Sequence, residues 1–331
     1  MINQEIRLAS RPKGRPAADN FKLVQTEVEP PNQGEVLVRN RYMSVDPYMR
    51  GRMSDRKSYV PPFQIDKPLE GGALGEVIES NDPKFKPGDM VISGLGWRQY
   101  FSAPPKALRL VKKDVQPLTI YLGALGTTGL SAWAGLRMAE MKAGEILYVS
   151  GAAGAVGNIA GQLAKLRSCR VIGSAGSDEK VRFLLDECQF DAAFNYKTCT
   201  VRDGLKNAAP EGIDVYFDNV GGETLEHALS SLKVHGRIIA CGSISGYNEE
   251  KPPPGPSNLF NIVIKRLTMK GLLVLDWLDY WPQFEKEVAD YYRAGKLKNK
   301  ETIVEGLDRA VEAFIGLFEG KNIGKMVVEL P

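Results

Sequence analysis

The stretch that most limits what this chain can fold into lies near its middle, where Glu145-Ile-Leu-Tyr-Val-Ser150 runs directly into Gly151-Ala-Ala-Gly154-Ala-Val-Gly157 and then into Asn158-Ile-Ala-Gly-Gln-Leu-Ala-Lys-Leu166. An apolar run, a turn of small residues and a segment with apolar positions at helical spacing predict strand, tight turn and helix in immediate succession. Such a unit brings close backbone approach, amide hydrogens and the positive end of a helix dipole to one point, as a pyrophosphate requires. The glycines at 151, 154 and 157 follow G-x-x-G-x-x-G rather than G-x-G-x-x-G. A turn needed only for packing would also use glycine, so the neighbouring elements carry the argument.

Those neighbours alternate between strand-like and helix-like patterns. A helical stretch runs from about Pro117 through Leu136, and a short strand covers Ile146 to Ser150. The pattern continues with a helix from Val156 to Leu166, a strand from Arg170 to Ser174 and a helix from Glu179 to Glu187. Short strands Ala192 to Asn195 and Asp214 to Asp218, a helix Thr224 to Leu232 and a strand Gly236 to Cys241 complete it. Parallel strands joined by helices predict a doubly wound α/β sheet. Residues 1 to about 115 have another texture: they are dense in Pro and Gly, with short apolar runs such as Glu35–Arg39, Gly75–Ile78 and Asp89–Ile92 bounded by turn residues. That predicts a β-rich domain, and 331 residues with 43% hydrophobic content are enough for two cores. Lys251-Pro-Pro-Pro-Gly-Pro256 is a loop, read as a lid or rim, because consecutive prolines supply no amide donors. Leu307 to Phe318 is helical, and Asn322 to Leu330 is strand-like.

Bulk properties remove several function classes. With 43 Lys and Arg against 40 Asp and Glu, the net charge of +3 supplies no strong field for nucleic acid or an anionic membrane, though it allows a local basic pocket. No stretch is apolar over the ~18 residues that a spanning helix needs, and the amino terminus lacks a secretory apolar core. Cys169, Cys188, Cys199 and Cys241 are irregularly spaced, which predicts reduced thiols in a cytoplasmic protein rather than a disulfide framework.

The choice of nicotinamide cofactor turns on the end of the second strand, where NAD sites place an acid. Here Arg170-Val-Ile-Gly-Ser174 ends without one, and Ala175-Gly-Ser-Asp-Glu-Lys180 offers hydroxyls and a lysine suited to a 2′-phosphate. Ser174 and Lys180 are therefore candidate NADP contacts. In the alternative, Ser177 caps the next helix, Asp178 and Glu179 occupy its first turn and Lys180 is solvated. Asp178 pointing into the site would favour NAD.

Seven blocks spread over most of the chain carry a resemblance. They are Ser44-Val-Asp-Pro-Tyr-Met-Arg50, Gly126-Thr-Thr-Gly-Leu-Ser-Ala-Trp133, Gly151 to Gly157, Ala175 to Lys180, Phe217-Asp-Asn-Val-Gly-Gly222, Cys241-Gly-Ser-Ile-Ser245 and Asn322-Ile-Gly-Lys325. The chain resembles the zinc-free medium-chain dehydrogenase/reductases of the leukotriene hydroxydehydrogenase and prostaglandin reductase family, with plant double-bond reductases and curcumin-reductase-like enzymes. The resemblance implies a chaperonin-10-like catalytic domain from residues 1–118 and 300–331, with a Rossmann NADP-binding domain, residues 119–299, inserted into it. It implies NADP contacts from the Gly151, Ala152, Ala153, Gly154, Ala155, Val156, Gly157 turn, and from Lys180 and Tyr196 at the 2′-phosphate. It also implies contacts from Asn219, from Cys241, Gly242, Ser243, Ile244 and Tyr247, from Leu272, Leu273 and Val274, and from Asn322. Tyr196, Asn219 and the Leu272–Val274 side chains also have ordinary readings as edge, turn and core residues. The family is usually homodimeric through its cofactor domains.

Catalytic zinc requires Cys, His and carboxylate ligands, yet the first domain has neither Cys nor His, and the only histidines are His227 and His235. Without a Lewis acid, conjugate reduction of an enone, which spreads charge into an enolate, is easier than reduction of an isolated carbonyl. The expected activity is NADPH-dependent reduction of the carbon–carbon double bond of α,β-unsaturated aldehydes and ketones. Tyr247 is the candidate donor to the enolate oxygen, with a purely structural loop aromatic as the alternative. Tyr42, Met43 and Tyr59 are candidate walls of a hydrophobic substrate pocket, with Trp97 and Tyr100 possible companions; each could equally be core. An NADPH quinone reductase and a non-catalytic NADPH-binding protein remain as rivals.

Overall fold

Every residue of Ile146–Val149 is buried, as expected of a strand covered on both faces, whose sequence is a continuous apolar run. The structure, a computed structural model, describes residues 1–331. It divides into two compact units, Met1–Leu122 with Glu301–Pro331, and Gly123–Lys300.

The second unit is built on six strands in the spatial order Ala192–Asn195, Arg170–Ala175, Ile146–Val149, Ile213–Asp218, Leu232–Ala240 and Thr268–Gly271. All neighbouring pairs are parallel. Numbered from Ile146–Val149, the order is 3-2-1-4-5-6, that of dinucleotide-binding sheets. The chain reverses direction of winding between Ile146–Val149 and Ile213–Asp218, and ligands of such sheets bind at that point. Helices Ala155–Leu166, Val201–Ala208 and Gly222–Ser231 connect the strands. The helix expected over 179–187 is α-helical only across Asp178–Arg182 and widens to a π-turn over Phe183–Glu187. Thr268–Gly271 gives no apolar signal because all four of its residues are exposed.

The first unit holds a seven-stranded sheet and a separate antiparallel pair, Ile2–Leu8 with Phe21–Glu27. Strand Lys325–Glu329 pairs antiparallel with Val36–Ser44 and parallel with Glu301–Glu305, so the tail lies beside strands from the start of the chain. Lys325 anchors this return: its buried ammonium donates to Asp46 Oδ1 at 2.9 Å and to the Val45 carbonyl at 3.0 Å. A buried charge so satisfied holds its place, whereas removing one partner would strand the other.

Two expectations for this unit change. Met43 is wholly buried in the core with Ile6, Met49 and Phe314, and its Sδ accepts the Trp97 N–H. The pleat turns it inward, so it is a core residue rather than a pocket wall. Trp97 is equally buried, packed on Phe21 and Phe314 with ring centroids 6.3 and 6.1 Å away. Tyr42 takes the opposite face of the strand and donates to Glu329 Oε1 at 2.9 Å. Tyr59 is 56% exposed.

Candidate functional site

The glycine turn closes as tightly as its sequence suggests. Gly151 has a φ of +57°, a left-handed conformation that glycine adopts without penalty. Ala152 N–H donates to the Ser174 carbonyl and Gly154 N–H to the Gly151 carbonyl, both at 3.0 Å, which lays the turn against the second strand. A Cβ on Gly157 would stand 2.6 Å from Gly151 O and 2.8 Å from Ala152 Cα. Both are backbone atoms that cannot step aside, so glycine alone lets the helix start this near the turn. No side chain caps Ala155–Leu166 at Gly154, leaving its first-turn amides without a side-chain partner. Ala152 and Ala153 are buried, whereas Ala155 and Val156 are half-buried.

The carboxyl ends of the strands gather the remaining expected residues of this unit along one edge of the sheet. Ser150 leads into the glycine turn, Ala175 ends the second strand with Gly176 just past it, and Tyr196 follows the third. Asn219 follows the fourth strand, Cys241 to Tyr247 the fifth, and Leu272 to Val274 the sixth. Leu272, Leu273 and Val274 are half-buried, and Leu272 N–H donates to the Ala240 carbonyl at 2.9 Å. Asn322 belongs to the other unit, where its Nδ2 donates to Gly324 O at 2.8 Å.

Beneath this edge lies a polar network that sequence reading missed. Asp218, 2% exposed, accepts at Oδ1 from the Tyr216 hydroxyl at 2.6 Å, Gly221 N–H at 2.8 Å, Val220 N–H at 2.9 Å and Ser150 Oγ at 3.3 Å. Burial pushes its carboxyl above the usual range, against the pull of these hydrogen bonds. Ser150 in turn accepts Asn219 N–H at Oγ, 3.0 Å away, and one Asn219 side-chain N–H at its carbonyl, 2.8 Å away. Asn219 is thus fixed by the first strand, and the backbone carbonyls of Asp218, Asn219 and Val220 accept from Cys241, Gly242, Ile244 and Ser245. The strand–turn junctions on either side of the winding reversal form one hydrogen-bonded block. Cys241 lies within it, its thiol pushed up to about 12 by burial and then by Asp218, so it is an inert thiol there.

At the second strand the structure corrects one expectation and resolves another. Ser174 is 2% exposed, and its hydroxyl pairs with that of Tyr148 at 2.8 Å. Its side chain faces the sheet interior, so it is not a ligand contact. Ser177 caps the following helix, accepting Lys180 N–H at 3.3 Å. Asp178 Oδ1 accepts from Asn195 Nδ2 at 2.8 Å, so the acid of this segment is occupied by an amide. Lys180 is half-buried, and burial first, then the nearby Lys197, lowers its pKa. Tyr196 lies across Gly176, where a Cβ would come 2.7 Å from its hydroxyl.

Tyr247 follows a single 3-10 turn, Ile244–Gly246, that folds its ring back over the fifth strand end. Its hydroxyl oxygen accepts Ser243 N–H at 3.2 Å and would lie 3.2 Å from a Cβ on Gly242. The phenol is therefore held over the same edge as Asn219 and the glycine turn.

These features fit a nicotinamide dinucleotide: a turn that only glycine can form, an uncapped helix start, no acid ending the second strand, and a lysine and tyrosine beyond it. Zinc does not fit, because no group of three or more His, Cys, Asp or Glu side chains converges anywhere in the structure, and residues 1–122 contain no Cys or His. Fold and site together define a Rossmann-type dinucleotide-binding protein.

The comparisons narrow that class. Residues 4–111 match the family described as the N-terminal domain of oxidoreductase, and residues 155–290 match the one described as zinc-binding dehydrogenase. A 2-alkenal reductase (NADP(+)-dependent) of Nicotiana tabacum is 41% identical, covering 98% of this chain and 97% of its own. An NADPH-dependent curcumin reductase of Escherichia coli is 39% identical, covering 98% and 95%. The crystal structure of CurA from Vibrio vulnificus in complex with NADPH is 40% identical and superimposes with a TM-score of 0.94 over 99% of both chains. The chain belongs to the zinc-free medium-chain dehydrogenase/reductase family of oxidoreductases. No helix is long and apolar enough to cross a membrane.

Proposed function

We propose that this protein reduces the carbon–carbon double bond of α,β-unsaturated aldehydes and ketones with NADPH. One observation carries the reading: six strand ends, the glycine turn and Tyr247 lie along a single edge of a sheet wound as dinucleotide-binding sheets are. The similarity to a 2-alkenal reductase and a curcumin reductase supports the choice of reaction.

When bound, NADPH supplies the reducing equivalent as hydride. The chain's own residues bind and orient. The amides of 151–157 hold the pyrophosphate, Lys180 and Tyr196 take the 2′-phosphate, and Asn219 and the backbone of Leu272–Val274 align the nicotinamide end. Tyr247 donates a hydrogen bond from its hydroxyl to the substrate oxygen, which carries negative charge as the β-carbon is reduced, and the α-carbon then takes a proton from solvent to leave the saturated carbonyl.

We also infer a homodimer in the cytoplasm. The edge strand Thr268–Gly271 is exposed throughout and is flanked by exposed Phe260, Val263 and Ile264, an arrangement that proteins cover. All four cysteines are free thiols, in keeping with a reducing compartment. Light scattering is expected to give about twice the chain mass of 36.4 kDa; a single-chain mass would sink the dimer.

The reaction is tested by mixing the protein with NADPH or NADH and, separately, a 2-alkenal, 4-phenyl-3-buten-2-one, a quinone and a saturated ketone. The expected outcome is NADPH-dependent formation of the saturated carbonyl, unaffected by chelator. Turnover of the quinone alone would transfer the assignment to a quinone reductase, and binding without turnover would leave a non-catalytic NADPH-binding protein.

A further inference from the structure

We propose that Lys197 is a second cation for the 2′-phosphate of the nucleotide, and with Lys180 sets the preference for NADPH over NADH; this rests on the cofactor reading above. The sheet register carries the argument. Asn195 pairs with Ala175, so the residues after Asn195 lie across from Gly176, the first residue past the second strand. Tyr196 N–H donates to the Ala175 carbonyl at 3.1 Å, fixing that alignment one residue further. A Cβ on Gly176 would stand 3.5 Å from Lys197 Cε, so the lysine stem runs back over the strand end.

Asn195 organises both charges at this corner. Its Oδ1 accepts Lys197 N–H at 3.1 Å, and its Nδ2 donates to Asp178 Oδ1 at 2.8 Å. The same amide therefore fixes the lysine's backbone and holds one oxygen of the Asp178 carboxylate to itself. No ion pair involves the Lys197 ammonium. Its charge is near enough to Lys180 to oppose protonation of that lysine, with burial the larger cause and Glu179 acting the other way. Two ammonium groups at one corner repel each other. A phosphate monoester, close to dianionic at neutral pH, would relieve that repulsion and gain two charge-assisted contacts. The 2′-hydroxyl of NADH carries no charge and gains neither. Tyr196 adds a hydroxyl over the same glycine.

The test is calorimetric binding of NADPH, NADH and 2′,5′-ADP to the full chain and to Lys197→Met, Lys197→Arg and Lys180→Met. Lys197→Met is expected to weaken NADPH and 2′,5′-ADP by about tenfold, as for loss of one charged hydrogen bond, and to leave NADH within about twofold. Lys197→Arg, keeping the charge, should retain most of the affinity. Lys197 is exposed, so these variants should fold, and a thermal melt checks that they do. An unchanged NADPH-to-NADH ratio in Lys197→Met, with a lowered one in Lys180→Met, would overturn the role of Lys197 while leaving the cofactor reading intact. Equal binding of NADPH and NADH by the unmodified protein would overturn the cofactor reading itself, and Lys197 with it.

Discussion

Gly157→Val is expected to lose NADPH affinity by about 100-fold or more and to melt several degrees lower. The Cβ would arrive 2.6 Å from the Gly151 carbonyl oxygen and 2.8 Å from Ala152 Cα, and neither atom belongs to a side chain that could rotate away. The first turn of Ala155–Leu166 must then lift off the glycine turn, moving the amides assigned above to the pyrophosphate. Overpacking of this kind costs about 1–3 kcal/mol even where the surroundings adjust. Gly255→Val is the control, because a Cβ there meets nothing within 4 Å. Isothermal calorimetry on both separates a local effect from general damage. Native affinity in Gly157→Val would remove the turn from the cofactor site.

The second large effect concerns chemistry rather than binding. Tyr247→Phe is expected to lower kcat by about 100-fold while NADPH affinity stays within about twofold. The ring that folds over the fifth strand end remains, and only the hydroxyl is lost. Ser243 N–H, which donates to that hydroxyl at 3.2 Å, lies on an exposed residue and can turn to water. The fold should therefore survive, and the deficit should appear in kcat. A Tyr247→Phe enzyme with undiminished kcat would make Tyr247 a loop aromatic without a part in proton or hydrogen-bond donation.

The glycine turn and the alternating units were legible because they rest on local signals: apolar runs long enough to be covered on both faces, glycine where backbone meets backbone, and helical spacing between. Ile2–Leu8 was not legible, because Asn3 and Glu5 are polar yet buried, Asn3 accepting the distant Tyr100 N–H and Glu5 accepting from Arg7, and they break any strand pattern. Thr268–Gly271 was missed for the opposite reason, since an exposed edge strand needs no apolar face. Side-chain direction was the other gap. Ser174 has the right place in the chain for a cofactor contact, but pairs inward with Tyr148. Met43 looks like a neighbour of a pocket tyrosine, yet the strand's period of two sends it into the core. The Asp218 network was hidden because Tyr216 reads as an apolar strand residue, and the Ser150 hydroxyl that completes the network comes from the end of a strand distant in sequence. Lys197 resembles any solvated lysine until its stem is found to run back past Gly176 at the end of the second strand.

The central claim is that reduction occurs at the carbon–carbon double bond. It is tested most directly with NADPH carrying deuterium at both C4 positions and 4-phenyl-3-buten-2-one, the product's label being located by NMR and mass spectrometry. Deuterium at the β-carbon of the saturated ketone, with the α-carbon protonated from solvent, is the expected result. Deuterium on a carbinol carbon, with the double bond intact, would contradict it.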